Sequence, residues 1–164
     1  MSDQGFQLPK PGPEHELLKP FEGTFKSDVK MWFGQGEPTV STGTMVNSWH
    51  LGGLYLNQTY KGDRADGPFP NFEGFGYWGY NQTSKQFEGF WIDNASTTMQ
   101  TEIGSADDSG KVFEMHSEFT HGDTVMKKRT VFEVVSNDEH SMTAFVTPPG
   151  GEEMKNMEII YKRI

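Results

Sequence analysis

From Phe21 onward, short runs of β-forming residues alternate with clusters of Gly, Asn, Asp and Pro, while apolar residues at helical spacing occur only near the N-terminus. The runs predict strands at Gly23 to Trp32, Val40 to Trp49, Leu54 to Lys61, Phe72 to Tyr80, Gln86 to Ile92, Thr98 to Ile103, Val112 to Phe119, Thr124 to Val135, Ser141 to Thr147 and Glu153 to Arg163, about ten in all. Turn chemistry stands between them in "HLGG", "NQTSK", "ADDSGK", "THGD", "SNDEH" and "TPPGGEE". The longer connection "KGDRADGPFPN" is the candidate for a mobile loop over one end.

Hairpins without crossover helices imply up-and-down antiparallel topology, and closure removes the two edges that an open sheet would expose. The expected fold is therefore all-β: a closed antiparallel barrel of about ten strands. Upstream, "QLPKPGPEHELLKP" offers one short helix, Pro13 to Lys19, with Leu17 and Leu18 as its apolar side and Pro20 as its stop. That helix predicts a plug. The expected organisation is an extended arm over 1–12 and one barrel domain over 13–164.

The stretch "NFEGFGYWGYNQTSKQFEGFWIDN" concentrates rings and glycines in one predicted hairpin. If Tyr80 faces Phe87 across the turn, Trp78 lies opposite Gly89 and Trp91 opposite Gly76. Each indole then covers a glycine on the neighbouring strand, where glycine relieves crowding in a curved sheet.

Composition changes this picture in one respect. The hydrophobic fraction is only 34%, which raises the question of disorder, but 13 Phe, 5 Tyr and 4 Trp bury far more area per residue than aliphatics do. Aromatics and nine Met carry the core. A formal charge of -9 argues against nucleic acid or an anionic membrane surface as partner, since both need a basic face. The basic run Lys127, Lys128, Arg129 reads as a solvated edge or cross-strand pairing set rather than a binding patch. Without cysteine there is no disulfide, thiolate nucleophile or Cys-based metal site. Neither a signal peptide nor a membrane-spanning apolar run is recognisable, so the expected location is the cytoplasm.

The segments "HELLKPFEGTF", "LGGLYL", "FEGFGYWGYNQTSKQFEGFWIDNAST", "GDTVMKKRTVFEV" and "MEIIYKRI" resemble the bacterial family called domain of unknown function 1579, over most of the chain from His15 onward. Its distinctive element falls on Gly79, Tyr80, Asn81, Phe87, Gly89, Trp91, Asp93 and Ser96, with Asn81 in place of the usual Asp. The resemblance implies a calycin-like barrel, similar to lipocalins and fatty-acid-binding proteins, and no established activity. Related nitrobindin-like haem barrels open with Gly-x-Trp-x-Gly-x-Gly; "GTFKSDVKM" follows Gly23 here instead, so haem is discounted and the cofactor stays unknown.

No P-loop, dinucleotide fingerprint, zinc-protease helix or nucleophile elbow occurs. The densest polar pattern is "FEMHSEFTHGD", where Glu114, His116 and Glu118 share one face of a strand. A turn at His121 and Gly122 would set Glu114 opposite Arg129 and His116 opposite Lys127. Facing inward, the three could serve as an acid/base pair or a metal site; facing outward, they are a charge ladder of little energetic weight. The outward orientation is favoured. His15, His50, His121 and His140 stand alone near turns or the plug and read as exposed or simply hydrogen-bonded. Asp93 with Ser96 and Thr97 reads as a turn, with a polar anchor at a cavity mouth as the functional counterpart.

Ten strands leave more lumen than eight, so rings and thioethers can line a ligand space. The cavity candidates are Trp49, Trp78, Tyr80, Trp91, Asp93, Met115, His116 and Glu118. The expected function is binding of a small apolar or aromatic molecule inside the barrel, by a monomer or homodimer. The alternatives are an enzyme using His116 and Glu118, and a structural homo-oligomer with no ligand.

Overall fold

The structure, a computed structural model, describes residues 7–164; the first half of the expected 1–12 arm lies outside the described residues. Residues 7–12 carry no regular secondary structure, in keeping with Pro9 and Pro11, which remove backbone donors. Helix α1 (Pro13–Glu16) is a single turn, with proline at its start and the Gly12 N–H donating to His15 Nδ1 at 3.0 Å. It ends three residues sooner than the sequence predicts. Pro20 does not stop it; proline fits the opening of any helical turn, and Pro20 lies inside a 3-10 turn, Lys19–Phe21. That second turn swings Leu18 and Phe21 into the barrel, where they are 0% and 1% exposed.

The described residues form ten strands: β1 (Gly23–Met31), β2 (Thr39–His50), β3 (Tyr55–Gly62), β4 (Glu73–Asn81), β5 (Gln86–Asp93), β6 (Gln100–Ala106), β7 (Val112–His121), β8 (Thr124–Val134), β9 (Glu139–Thr147) and β10 (Met154–Arg163). They pair antiparallel in chain order, and β10 returns to β1 from Phe25 opposite Arg163 to Met31 opposite Met157, closing the barrel. That closure removes the two end strands an open sheet would leave.

The glycine-rich hairpin adopts the expected register, with Tyr80 opposite Phe87, Trp78 opposite Gly89 and Gly76 opposite Trp91. A side chain at Gly74 would collide with the Trp91 indole, and one at Gly89 would meet Trp78 Cδ1 at 3.3 Å. Glycine is thus what lets each indole lie flat on the inner wall. The rings are shared between both faces, however. Phe75, Tyr77 and Phe90 sit outside the barrel, where Tyr77 contacts Phe75, Phe90, Tyr55 and His50 edge-on or tilted.

The β7–β8 register departs from expectation by two residues: His116 is opposite Arg129, and Glu118 opposite Lys127. Gly122, at φ 61°, takes the first position of a two-residue turn, so the loop is Gly122 and Asp123 rather than His121 and Gly122.

Side chains fill the lumen unevenly. At the plug end Leu18, Phe21, Leu56, Trp78, Phe87, Phe113, Met115 and Val134 form one close-packed cluster. Its rings meet at centroid distances of 5.1 Å for Phe21–Trp78, 5.3 Å for Trp78–Phe113 and 5.1 Å for Phe87–Phe113, the tilted and edge-on geometry that aromatic quadrupoles prefer. Toward the other end a second cluster, Phe25, Val29, Met45, Tyr60, Ile159 and Tyr161, lines the wall without filling the middle.

Candidate functional site

Above the plug-end cluster lies a cavity of about 360 Å³, within the roughly 300–1,000 Å³ range of small-molecule sites. The connection between β3 and β4 lies over its mouth, contributing Arg64, Asp66, Pro68 and Phe69, as its length and composition suggest. Most of the wall is apolar, from Val29, Met45, Phe72, Trp91, Met142 and Ile159. Strand alternation explains most of it: Val29, Met45, Trp91, Met142 and Ile159 sit on the inward parity of their strands, and Phe72 immediately precedes β4.

Three of the eight sequence candidates line this cavity: Trp78, Trp91 and Asp93. Asp93 works as both turn and anchor. One carboxylate oxygen accepts from Trp91 Nε1 at 3.0 Å and the other from the Ala95 N–H at 3.0 Å, fixing the indole against the wall and ending β5. Trp49, Tyr80 and Met115 belong instead to the plug end, where Met115 is wholly buried and Tyr80 packs on Phe87 and edge-on to His15. Those three fill space rather than enclose it.

His116 and Glu118 lie outside the barrel. Met115 and Phe113 take the inward parity of β7, so the faces between them turn to solvent, and the His116 side chain is 57% exposed. His116 Nε2 meets Glu114 Oε1 at 2.9 Å, and Arg129 reaches Glu114 at 3.4 Å and Glu153 at 2.7 Å. This is the charge ladder, with Glu153 below its ordinary value chiefly because Arg129 hydrogen-bonds it. Among the described residues no three His, Asp or Glu side chains converge to hold a metal ion. An acid/base pair of His116 and Glu118 inside the cavity is therefore not formed.

Sequence reasoning missed the cavity's polar flank. Gln100 and Glu102 of β6, Ser117 of β7, and Lys128 and Thr130 of β8 all line it, and Lys128 Nζ donates to Gln100 Oε1 at 3.3 Å. Burial pushes the Glu102 carboxyl above its ordinary value, against a smaller opposing pull from Lys128. On the opposite side Tyr60 shares a hydrogen bond of 2.8 Å with Ser27, and burial raises the Tyr60 and Tyr161 phenols. Trp78 and Thr130 also border the cavity, and Trp78 Nε1 and Thr130 Oγ1 are buried within the wall itself with no partner among the described residues. Such atoms are costly unless something bonds them. The signal was present in parity: along β8, Met126, Lys128, Thr130, Phe132 and Val134 alternate, and the last two are plainly core.

One lone histidine was also misplaced. His140 is buried with Nδ1 unpartnered, because β9 begins at Glu139 rather than Ser141 and so carries it inward with Ala144 and Val146, whereas His15, though buried, is hydrogen-bonded by the Gly12 N–H as expected.

The model of the family DUF1579, described as protein of unknown function, matches residues 10–163. No curated protein matches the chain in sequence. Among solved structures, the crystal structure of Rv2717c from M. tuberculosis is similar in fold, with a TM-score of 0.65 at 17% sequence identity, covering 93% of this chain and 98% of that one.

Proposed function

The chain belongs to the DUF1579 family, a family of unknown function built here on a closed ten-stranded barrel, and we propose that this member binds a small apolar or aromatic molecule in the open half of its lumen. The observation that carries the reading is a ring- and thioether-lined cavity of about 360 Å³ with one polar flank, formed by Gln100, Glu102, Ser117 and Lys128. Apolar walls supply affinity, and a few convergent polar groups orient the guest. The indoles of Trp78 and Trp91 report on it directly, because both line the cavity.

The test is a thermal-shift and intrinsic-fluorescence screen with fatty acids, haem and aromatic metabolites. At least one class raises Tm and changes the Trp signal, and Met142→Trp, which fills the cavity from β9, removes both effects. A chain that no class stabilises, and whose fluorescence is equally indifferent in the Met142→Trp variant, has no such function.

A second reading rests on the outer aromatic patch of Tyr55, Phe75, Tyr77 and Phe90, of which Tyr55 is 44% and Phe75 37% exposed. A second copy of the chain is the occupant that suits it: the patch is uncharged, while the rest of a chain of net charge -9 repels itself. Light scattering across concentrations reads this out, with a dimer expected and a Tyr77→Lys variant expected to be monomeric.

A further inference from the structure

The polar flank of the cavity coincides with a defect in the barrel wall. β6 bonds β7 only from Ile103 opposite His116 to Ala106 opposite Phe113, whereas β7 continues to His121 paired with β8 alone. From Ile103 toward the open rim, the seam between β6 and β7 is a notch. Thr101, Glu102, Ser117 and Lys128 line both the inner cavity and a second recess on the outside of that seam, where His116, Glu118 and Lys127 join them. These four side chains therefore stand between the interior and that outer recess.

The chemistry at this notch is biased toward donors. Lys128 carries only N–H donors. The Gln100 carbonyl is already used by Lys128, leaving its amide N–H groups. Glu102 is the one acidic side chain on this flank of the cavity, and burial pushes its carboxyl above the ordinary value. A cation placed here would face the Lys128 ammonium.

We propose that the guest is a small monoanionic amphiphile: an aromatic or short aliphatic body in the cavity and one carboxylate at Lys128, beside the notch between β6 and β7. This rests on the ligand-binding reading above and adds the charge class and its placement. The carboxylate accepts from the Lys128 ammonium while its outer oxygen faces the notch, so the anion is only partly desolvated. The apolar body faces Met142, Phe72 and Trp91.

Three probes sharing one naphthyl body separate the terms: 1-naphthoate, 1-naphthalenemethanol and 1-naphthylmethylammonium, titrated into the full chain by calorimetry and Trp fluorescence at neutral pH and low salt. Naphthoate is expected to bind about tenfold tighter than the alcohol, the margin of one charge-assisted hydrogen bond over a neutral one, with the ammonium weakest. Lys128→Met, and Lys128→Gln as a second variant, bring naphthoate to the alcohol's affinity and leave the alcohol unchanged. Lys127→Met, one residue along and facing out, keeps the tenfold preference. Circular dichroism and Tm verify that each variant folds. An alcohol or ammonium that binds as tightly as naphthoate overturns the anionic assignment while leaving the cavity reading standing. So does a preference that survives both Lys128 variants or disappears in Lys127→Met. If none of the three probes binds, the cavity reading falls and this inference falls with it.

Discussion

His140 shows how one buried residue can build a pH dependence into the fold. Its ring stacks on Tyr161 at 4.6 Å and lies edge-on to Phe21 and Phe25, while Nδ1 has no partner among the described residues. Burial pushes its pKa down to about 3, and the nearby Arg163 cation adds to the effect. The folded chain therefore keeps His140 neutral where the unfolded chain, with a pKa near 6.5, takes up a proton. Stability is complete above about pH 6.5 and falls by up to ~1.4 kcal/mol per pH unit as pH drops toward 3. Urea unfolding between pH 7 and 4.5 should show this slope, and His140→Phe should flatten it; a wild-type profile flat over that window would contradict the buried neutral imidazole. This residue also marks where the sequence stopped being legible. "SNDEH" is turn chemistry, and nothing local says that the strand begins one residue before the histidine and turns it inward. Lys128 is the opposite case: its alternation with Phe132 and Val134 placed it inside, but a lysine inside a basic run reads as surface until the cavity that receives it is seen.

At the scale of elements, strand existence was readable throughout, because period-2 runs and turn clusters are local, while register depended on which residue took the turn. The hairpin of β4 and β5 was legible to the residue since each Trp needs a glycine partner; β7 and β8 had no such constraint, and Gly122 moved the pairing by two. β6 was the least legible, predicted from Thr98 to Ile103 and observed at Gln100–Ala106, because Gly104 looks like a strand end. Gly104 is instead the tightest contact of the seam: any Cβ there would collide with the Glu114 carbonyl of β7. Only four residue pairs hold β6 to β7, so this one glycine carries a large share of the seam. Gly104→Ala should therefore destabilise by about 1–3 kcal/mol, the usual cost of overpacking, seen as a lower denaturant midpoint. A midpoint equal to wild type would mean that the seam yields freely and that the notch above it is not fixed by backbone contact.

Across the whole molecule the barrel divides its labour along its axis. Arg163 seals the plug end, donating to the carbonyls of Glu22 at 2.6 Å, Pro20 at 3.1 Å and Asn137 at 2.6 Å, with its guanidinium 4.5 Å from the Phe25 ring. One side chain from the last strand thereby ties the plug, the first strand and the turn between β8 and β9 together, with a planar fork that lysine cannot reproduce. Below that seal, Phe21 and its ring partners make a solid core; above it, the same wall encloses space. Ten strands give a lumen too wide for aliphatics, and rings fill that width at the plug end but only line it at the other. Stability and binding should accordingly separate. Phe21→Ala removes a fully buried ring that does not line the cavity, and is expected to cost about 3–5 kcal/mol in chemical unfolding while leaving the naphthoate affinity within about twofold at a temperature where the variant is folded. Met142→Trp is expected to do the reverse, abolishing binding for less than about 1.5 kcal/mol because its extra volume enters free space rather than packed core. If Phe21→Ala weakens binding as much as it weakens the fold, the two halves are one cooperative core, and the cavity owes its shape to the plug.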